Sequence, residues 1–237
     1  METINIQGLG YREINERLRK TAACRLTGCC GERFLGAGMD AGELTIEGVP
    51  GNALGAYLNG GNITVYGNAQ DAAGDTMNAG EIIVHGSIGD AAGYAMRDGR
   101  ILVKGDAGYR AGIHMKAYKD KVPVMIIGGR AGSFLGEYQA GGIIIVLALN
   151  GGRPVGNFPC TGMHGGKLLL RGCWEDISFP AQVTAQPAER EELEEVRGQL
   201  EAFCVAFGYD LSEVLNSPFT SVTPDNGNPY RQMYVMN

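Results

Sequence analysis

The sequence has no basic tract. Its 20 Lys and Arg stand against 26 Asp and Glu, a net charge of −6, which argues against a sequence-independent nucleic-acid surface. It has no long apolar run either. Its most aliphatic stretch, Gly142 to Leu149, is far short of the roughly 20 residues that span a bilayer as a helix. It opens Met1-Glu2-Thr3-Ile4-Asn5, without the basic-then-apolar leader of a secretory signal. The six cysteines show no paired spacing, which fits a reducing cytoplasm better than a disulfide scaffold. Glycine is abundant, 38 residues against roughly 17 at average usage. Its recurrence is not every third residue, so collagen is excluded, and it punctuates regular aliphatic triplets, which argues against disorder.

What the glycines do show is a repeat. Gly48, Gly67, Gly86 and Gly105 stand 19 apart, as do Gly36, Gly55, Gly74, Gly93 and Gly112, and Gly42, Gly61, Gly80 and Gly99. Three series in phase mean one unit copied along the chain, and a period this short suits one coil of a solenoid. The cleanest strand is Gly80-Glu81-Ile82-Ile83-Val84-His85-Gly86. Side chains alternate faces along a strand, so Leu44/Ile46, Ile63/Val65, Ile82/Val84 and Ile101/Val103 are predicted to point inward and stack on their equivalents. Met39, Leu58, Met77, Met96 and Met115 form a further column, read as core packing rather than a soft-metal site because Leu58 shares the slot. Asn52, Asp71 and Asp90 form a column of short polar residues able to bond their own turn backbone.

The period then drifts. Gly105 and Gly128 stand 23 apart, with the excess around Tyr118-Lys119-Asp120-Lys121, which reads as an extruded loop. Counting from Gly31 gives about seven coils and a length of about 30 Å. Only one side per period carries the aliphatic signal, which favours a right-handed parallel β-helix over a left-handed hexapeptide solenoid. This all-β solenoid is expected over residues 28–175. A short helical segment (1–27, with a helix over 11–20) precedes it, and a C-terminal helix and tail (176–237) pack on it. Residues 188–207 place Leu193, Val196, Leu200, Phe203, Cys204 and Phe207 on one helical face, and the tail from Ser217 reads as loop.

The middle, outward strand position is read as Thr45, Thr64, Ile83, Leu102, Met125, Ile144, Leu169. A solvent-facing column should not turn apolar, so Ile83, Leu102, Met125, Ile144 and Leu169 are the predicted docking face for helix 188–207, roughly parallel to the solenoid axis. Leu200 and Phe203 should then lie beside Leu102 and Met125.

Motifs that carry chemistry are sparse. Gly36-Ala37-Gly38 lacks a strand–turn–helix context, and Gly166-Lys167 is followed by Leu168 rather than the Ser/Thr of a phosphate loop. His85 sits at an outward position and reads as solvated. His164 with Cys160 and Cys173 lacks the spacing and fourth ligand of a zinc site. Cys24, Cys29 and Cys30 cluster near the N-terminus and read as incidental. Arg110, Lys116, Lys119 and Lys121, at and just before the extruded loop, are candidate contacts for an anion or an acidic partner surface. No carboxylate pair, nucleophile–base couple or metal cluster emerges, so no catalytic, cofactor-binding or metal-ligating residue is assigned.

Five segments carry a family resemblance: Pro50-Gly51-Asn52-Ala53-Leu54-Gly55-Ala56, Gly67-Asn68-Ala69-Gln70-Asp71, Gly93-Tyr94-Ala95-Met96-Arg97, Gly108-Tyr109-Arg110-Ala111-Gly112-Ile113-His114-Met115-Lys116 and Phe134-Leu135-Gly136-Glu137-Tyr138. Together they resemble the GXGXG domain at the C-terminal end of the glutamate synthase large subunit, over roughly residues 12 to 175. The resemblance implies a right-handed β-helix and a structural, non-catalytic subunit of a split, archaeal-type glutamate synthase. Its partners would be a glutamine amidotransferase subunit and a synthase subunit carrying FMN and an iron–sulfur cluster, with no cofactor in this chain. It implies no nucleic acid and no membrane, and leaves room for a homo-oligomer. One of the formylmethanofuran dehydrogenase subunits shares the domain and is the alternative, beside a stand-alone β-helix binding module. The chain departs from the pattern where Leu147 replaces a glycine.

Overall fold

The structure, a computed structural model, describes residues 1–225. Along the chain run β1 (Glu2–Asn5), α1 (Tyr11–Leu18), β2 (Ala23–Cys30), β3 (Glu43–Val49), β4 (Asn59–Tyr66), β5 (Ala79–Val84), β6 (Arg100–Val103), β7 (Val124–Ile127), β8 (Ala140–Val146), β9 (Gly165–Arg171), β10 (Val183–Pro187), α2 (Arg190–Glu195), α3 (Arg197–Phe207), α4 (Leu211–Leu215) and β11 (Phe219–Pro224). Strands β1 to β9 pair consecutively in parallel, giving a parallel β-solenoid of about eight turns, one more than the glycine count. The segment 1–27 contributes a strand as well as a helix, since β1 pairs with β2 and extends the sheet.

The repeat becomes structure through three stacked faces. The strands form one. Leu44, Ile63, Ile82 and Ile101 pair in register, as do Ile46, Val65, Val84 and Val103, and all are buried in one core with the methionine column. A second face is a run of single bridges, Ala69 to Ile88 to Ala107 to Ala131 to Val155. Beside it, short polar side chains knit coil to coil. The carboxylate of Asp71 accepts the N–H of Asp90 at 2.9 Å and that of Asp90 the N–H of Tyr109 at 2.8 Å. Asp71 and Asp90 therefore bond the next coil, not their own turn. Gly108 is required there because a Cβ would collide with the Asp90 carboxylate and backbone.

The third face is the tight corner that holds most of the repeated glycines. In it, the N–H of Ala72 reaches Asp90 O at 2.8 Å in the following coil, while the N–H of Gly74 reaches Leu54 O at 2.8 Å in the preceding one. The pattern recurs with Ala91 and Gly93, Arg110 and Gly112, and Phe134 and Gly136. Alternate residues must therefore adopt positive φ, and many are not glycine: Ala53 (63°), Ala72 (57°), Ala91 (54°), Arg110 (58°), Phe134 (63°) and Phe158 (58°) fill one column. Each costs roughly 1–2 kcal/mol, offset by a backbone hydrogen bond that would otherwise be lost from a buried ladder.

The ends are closed differently. At the N-terminal end, α1 buries Ile14 and Leu18 in the core. Its Asn15 reaches the first corner, donating from Nδ2 to Phe34 O at 2.8 Å and accepting the Gly36 N–H at 3.0 Å. At the other end, β11 pairs antiparallel with β9, and β10 with β11. The expected loop from Ser217 is therefore strand through Pro224; its continuation, 226–237, lies outside the described residues.

The expected single helix is two. Val196, at φ −100° and ψ 2°, separates α2 from α3, and Gly208 at φ 75° ends α3. They cross the strands from β9 back to β5. Glu192 of α2 meets Lys167 of β9 at 2.9 Å, Gln199 accepts from Arg100 of β6 at 3.0 Å, and Phe207 packs on His85, just past β5, at 5.2 Å. Val196, Leu200, Phe203, Cys204 and Phe207 form a second core with Leu102, Ile126, Ile145, Leu147 and Leu169, and Ile83 packs at its edge. Met125 and Ile144, expected in this column, instead face the solenoid interior. The cause is the register of the extruded loop. Gly105 and Gly128 are 23 apart, but the hydrogen bonds set Gly129 against Gly105 and pair Leu102 with Ile126. The offset is 24, and every later side chain moves to the other face. The same shift makes Ala148, at φ 45°, the residue level with Gly129, so the missing glycine is at Ala148 rather than Leu147.

Candidate functional site

The corner changes character along the solenoid. In the middle coils its positive-φ positions carry small residues, Ala72, Thr76, Ala91 and Ala95. In the later coils the same positions carry Arg110, His114, Phe134, Tyr138 and Phe158, all at φ between 54° and 63°. Bulky side chains rarely adopt this conformation, and strain at such positions concentrates where function needs it. Positive φ turns these side chains outward, where they assemble into a continuous surface. Tyr94 packs edge-on against His114 at 5.7 Å, and His114 stacks on Tyr138 at 5.2 Å and 10°. Alongside, Phe134 lies 5.3 Å from Phe158.

Arg110 joins this surface through its guanidinium. It lies 4.7 Å over the Phe134 ring and donates from Nε to Glu137 Oε2 at 2.9 Å. Glu137 is itself buried, so the pair fixes the guanidinium plane flat along the aromatic row. Phe158 remains 63 % exposed, Tyr109 55 % and Tyr94 40 %. Exposed aromatics flanking an ordered arginine are the composition of protein–protein contact surfaces.

The predicted basic contacts are not brought together. Arg110 belongs to the aromatic corner. Lys116 and Lys121 line a separate groove with Asn78, Arg97, Ala117 and Tyr118. Lys119, at the loop tip, lies over the Tyr118 ring at 5.2 Å. Sequence reasoning does not find the aromatic surface as a unit. A signal for it exists, because bulky residues recur at positions that hold alanine and threonine in neighbouring coils.

The other candidates resolve into packing. Burial pushes the Cys29 thiol up to about 12, with Glu32 adding to it, and burial alone pushes Cys160 to about 12. Neither is a nucleophile at neutral pH. Cys29 and Cys30 lie on opposite faces of β2, one buried and one exposed. The His164 ring sits 3.0 Å from Gly162 O, and among the described residues no three His, Cys, Asp or Glu gather as a metal group. His85 is not free in solvent: it is sandwiched between Tyr66 at 4.6 Å and Phe207. Burial, then the Lys104 charge, hold its pKa below the ordinary histidine value. Among the described residues no helix is long and apolar enough to cross a membrane.

Comparisons with known proteins follow this geometry. The chain is 41 % identical over 249 aligned positions to an uncharacterized protein of Methanocaldococcus jannaschii, covering 98 % of this chain and 95 % of that one. Its fold matches a chain of the formyltransferase/hydrolase complex from Methylorubrum extorquens, solved with methylofuran, at a TM-score of 0.66 and 22 % identity, covering 84 % of this chain and 72 % of that one. The family model described as the GXGXG motif matches residues 11–225. The stacked glycine corner is that motif in three dimensions, and the chain belongs to the GXGXG family.

Proposed function

We propose that the chain is a structural, non-catalytic subunit of a cytoplasmic glutamate synthase complex. It would hold the glutamine amidotransferase subunit against the FMN synthase subunit as glutamine and 2-oxoglutarate are turned into glutamate. FMN and the iron–sulfur cluster belong to the synthase partner in this reading, and no residue of this chain is assigned to them. The carrying observation is the aromatic–arginine corner: five bulky side chains held outward at positive φ on a rigid stack, a costly arrangement for a surface facing water alone. Family membership supports the reading, as does the fold shared with a chain of a multi-subunit enzyme complex. All six cysteines are free thiols, consistent with a reducing compartment.

The test is co-purification with a functional readout. A tagged chain should bring down both partners, and adding it to them should raise glutamine-dependent glutamate formation. The double variant Tyr138→Ala/Phe158→Ala should fold yet lose both effects. If the wild-type chain brings down neither partner and leaves glutamate formation unchanged, the reading fails. Recovery of formylmethanofuran dehydrogenase proteins instead would favour the alternative, for which the shared fold with the formyltransferase/hydrolase chain is the supporting observation.

A further inference from the structure

A second feature of the surface lies apart from the aromatic corner and shares no residue with it. Between the 117–122 loop and the ends of the neighbouring coils is a groove of about 480 Å³, lined by Asn78, Arg97, Lys116, Ala117, Tyr118 and Lys121. In a chain of net charge −6, three cations converge on one concavity. The groove is built rather than accidental. Its floor is a row stacked coil on coil. Asn78 Nδ2 donates to Asn59 Oδ1 at 3.0 Å, and Arg97 Nη1 donates to Asn78 Oδ1 at 3.4 Å. The row holds the guanidinium in place and leaves its other donors available. Its wall is a tight turn closed by reciprocal backbone bonds, Tyr118 N–H to Lys121 O at 3.0 Å and Lys121 N–H to Tyr118 O at 3.1 Å.

The charges are also under-compensated. Lys121 approaches Asp98 only at 3.8 Å with half its side chain exposed. Neither Arg97 nor Lys116 has a carboxylate partner among the ion pairs of the described residues. Holding three like charges together without counter-charge is unfavourable, and an anion relieves it. The volume lies in the range of small-molecule sites, roughly 300–1,000 Å³.

We propose that this groove binds a small multivalent anion, a metabolite bearing at least two carboxylate or phosphate groups. Arg97 offers a planar fork of donors to one group, Lys116 and Lys121 offer point charges to another, and the Tyr118 turn closes the side.

The experiment is calorimetric titration of the full chain with succinate and with pyrophosphate, at constant ionic strength and against chloride. Saturable binding of at least one probe is expected. The tighter one names the anionic group, carboxylate or phosphate. Lys116→Gln and Arg97→Gln should each weaken it at least about tenfold. Lys119→Gln, at the loop tip outside the groove, should leave it within about twofold. Thermal melting of each variant and the amide NMR shifts of Ala117 and Tyr118 report whether the groove is intact. Three results would overturn the proposal: no saturable binding of either probe, equal binding by a folded Lys116→Gln, or binding of a hexaglutamate peptide where neither small anion binds. The last would make the groove a contact for an acidic protein segment.

Discussion

The corner and the outer strand face solve opposite problems on the same repeat. The corner is a backbone structure. Its order comes from N–H groups bonded alternately to the coil before and the coil after, and its side chains are displayed, not packed. The strand face under α3 is a side-chain structure. Its backbone is an ordinary parallel ladder, and its order comes from Phe203, Leu200 and Phe207 filling the space over Leu102, Ile126 and Ile145. Atoms added to the stacked backbone have nowhere to go, and atoms removed from the strand face leave a cavity. The corner is therefore suited to present a fixed surface to a partner, and the strand face to be covered by the chain's own helix.

This contrast is open to attack by substitution, beginning where the largest effect is expected. Gly108→Ala, where the polar row leads into the corner, should cost about 4 kcal/mol or more. The new Cβ meets the Asp90 carboxylate and backbone and breaks the bond to Tyr109 N–H; denaturant unfolding measures the loss. A value under about 1 kcal/mol would mean the stacked backbone is plastic. Phe203→Ala, at a fully buried side chain, should cost about 3 kcal/mol, and hydrogen exchange should rise in α3 before it rises in β5 or β6. Uniform exchange instead would make the two faces one cooperative unit.

Smaller effects test the ends of the helix pair. Glu192 accepts from Lys167 at 2.9 Å, from Ser221 at 2.9 Å and from the Glu189 N–H at 3.1 Å, joining α2 to both β9 and β11. Burial opposes its charge, but the Lys167 hydrogen bond, the Glu189 N–H and Ser221 outweigh it and lower its pKa. Glu192→Gln should cost about 1.5 kcal/mol at neutral pH. Because the folded pKa is the lower one, that stability is present above the unfolded value of about 4.3. It is lost as pH falls through the folded value, so wild type and variant should converge in acid. His85 works at the opposite end of α3. Its folded pKa is also lowered, by burial and then Lys104, so the unfolded chain binds the proton first. Stability should be full above about pH 6.5 and decline as pH falls toward the folded value, with an NMR titration of His85 placing its pKa below 6.5. At the small end, Gly198→Ala in α3 meets nothing within 4 Å and should stabilise by about 0.5–1 kcal/mol. Opposite signs for two glycine-to-alanine changes would express the contrast most economically.

Much of this is legible in the sequence because a solenoid repeats its reasons. Ile63, Ile82 and Ile101 sit in one register because each packs on the last, and a 19-residue period carries that directly. Legibility stops where periodicity does. Across the 117–122 loop the glycine spacing of 23 suggests one phase and the hydrogen bonds adopt 24, so Met125 and Ile144 are exchanged for Ile126 and Ile145. Phe219–Pro224 reads as loop because prolines bound it, yet the open edge of β9 recruits it as a strand, a tertiary effect that overrides local propensity. The aromatic corner is hidden for another reason. Tyr94, His114 and Tyr138 are far apart in sequence, and only the stacking of coils brings their rings to 5.7 Å and 5.2 Å of one another.

The most direct measurement is hydroxyl-radical footprinting of the chain, alone and in the complex co-purified from its native cells. Oxidation of Tyr94, Phe134, Tyr138 and Phe158 should fall several-fold in the complex, while Tyr66, exposed on the strand face, keeps its rate. Equal oxidation of the corner aromatics in the free and assembled chain would contradict a role for this surface in holding partner subunits.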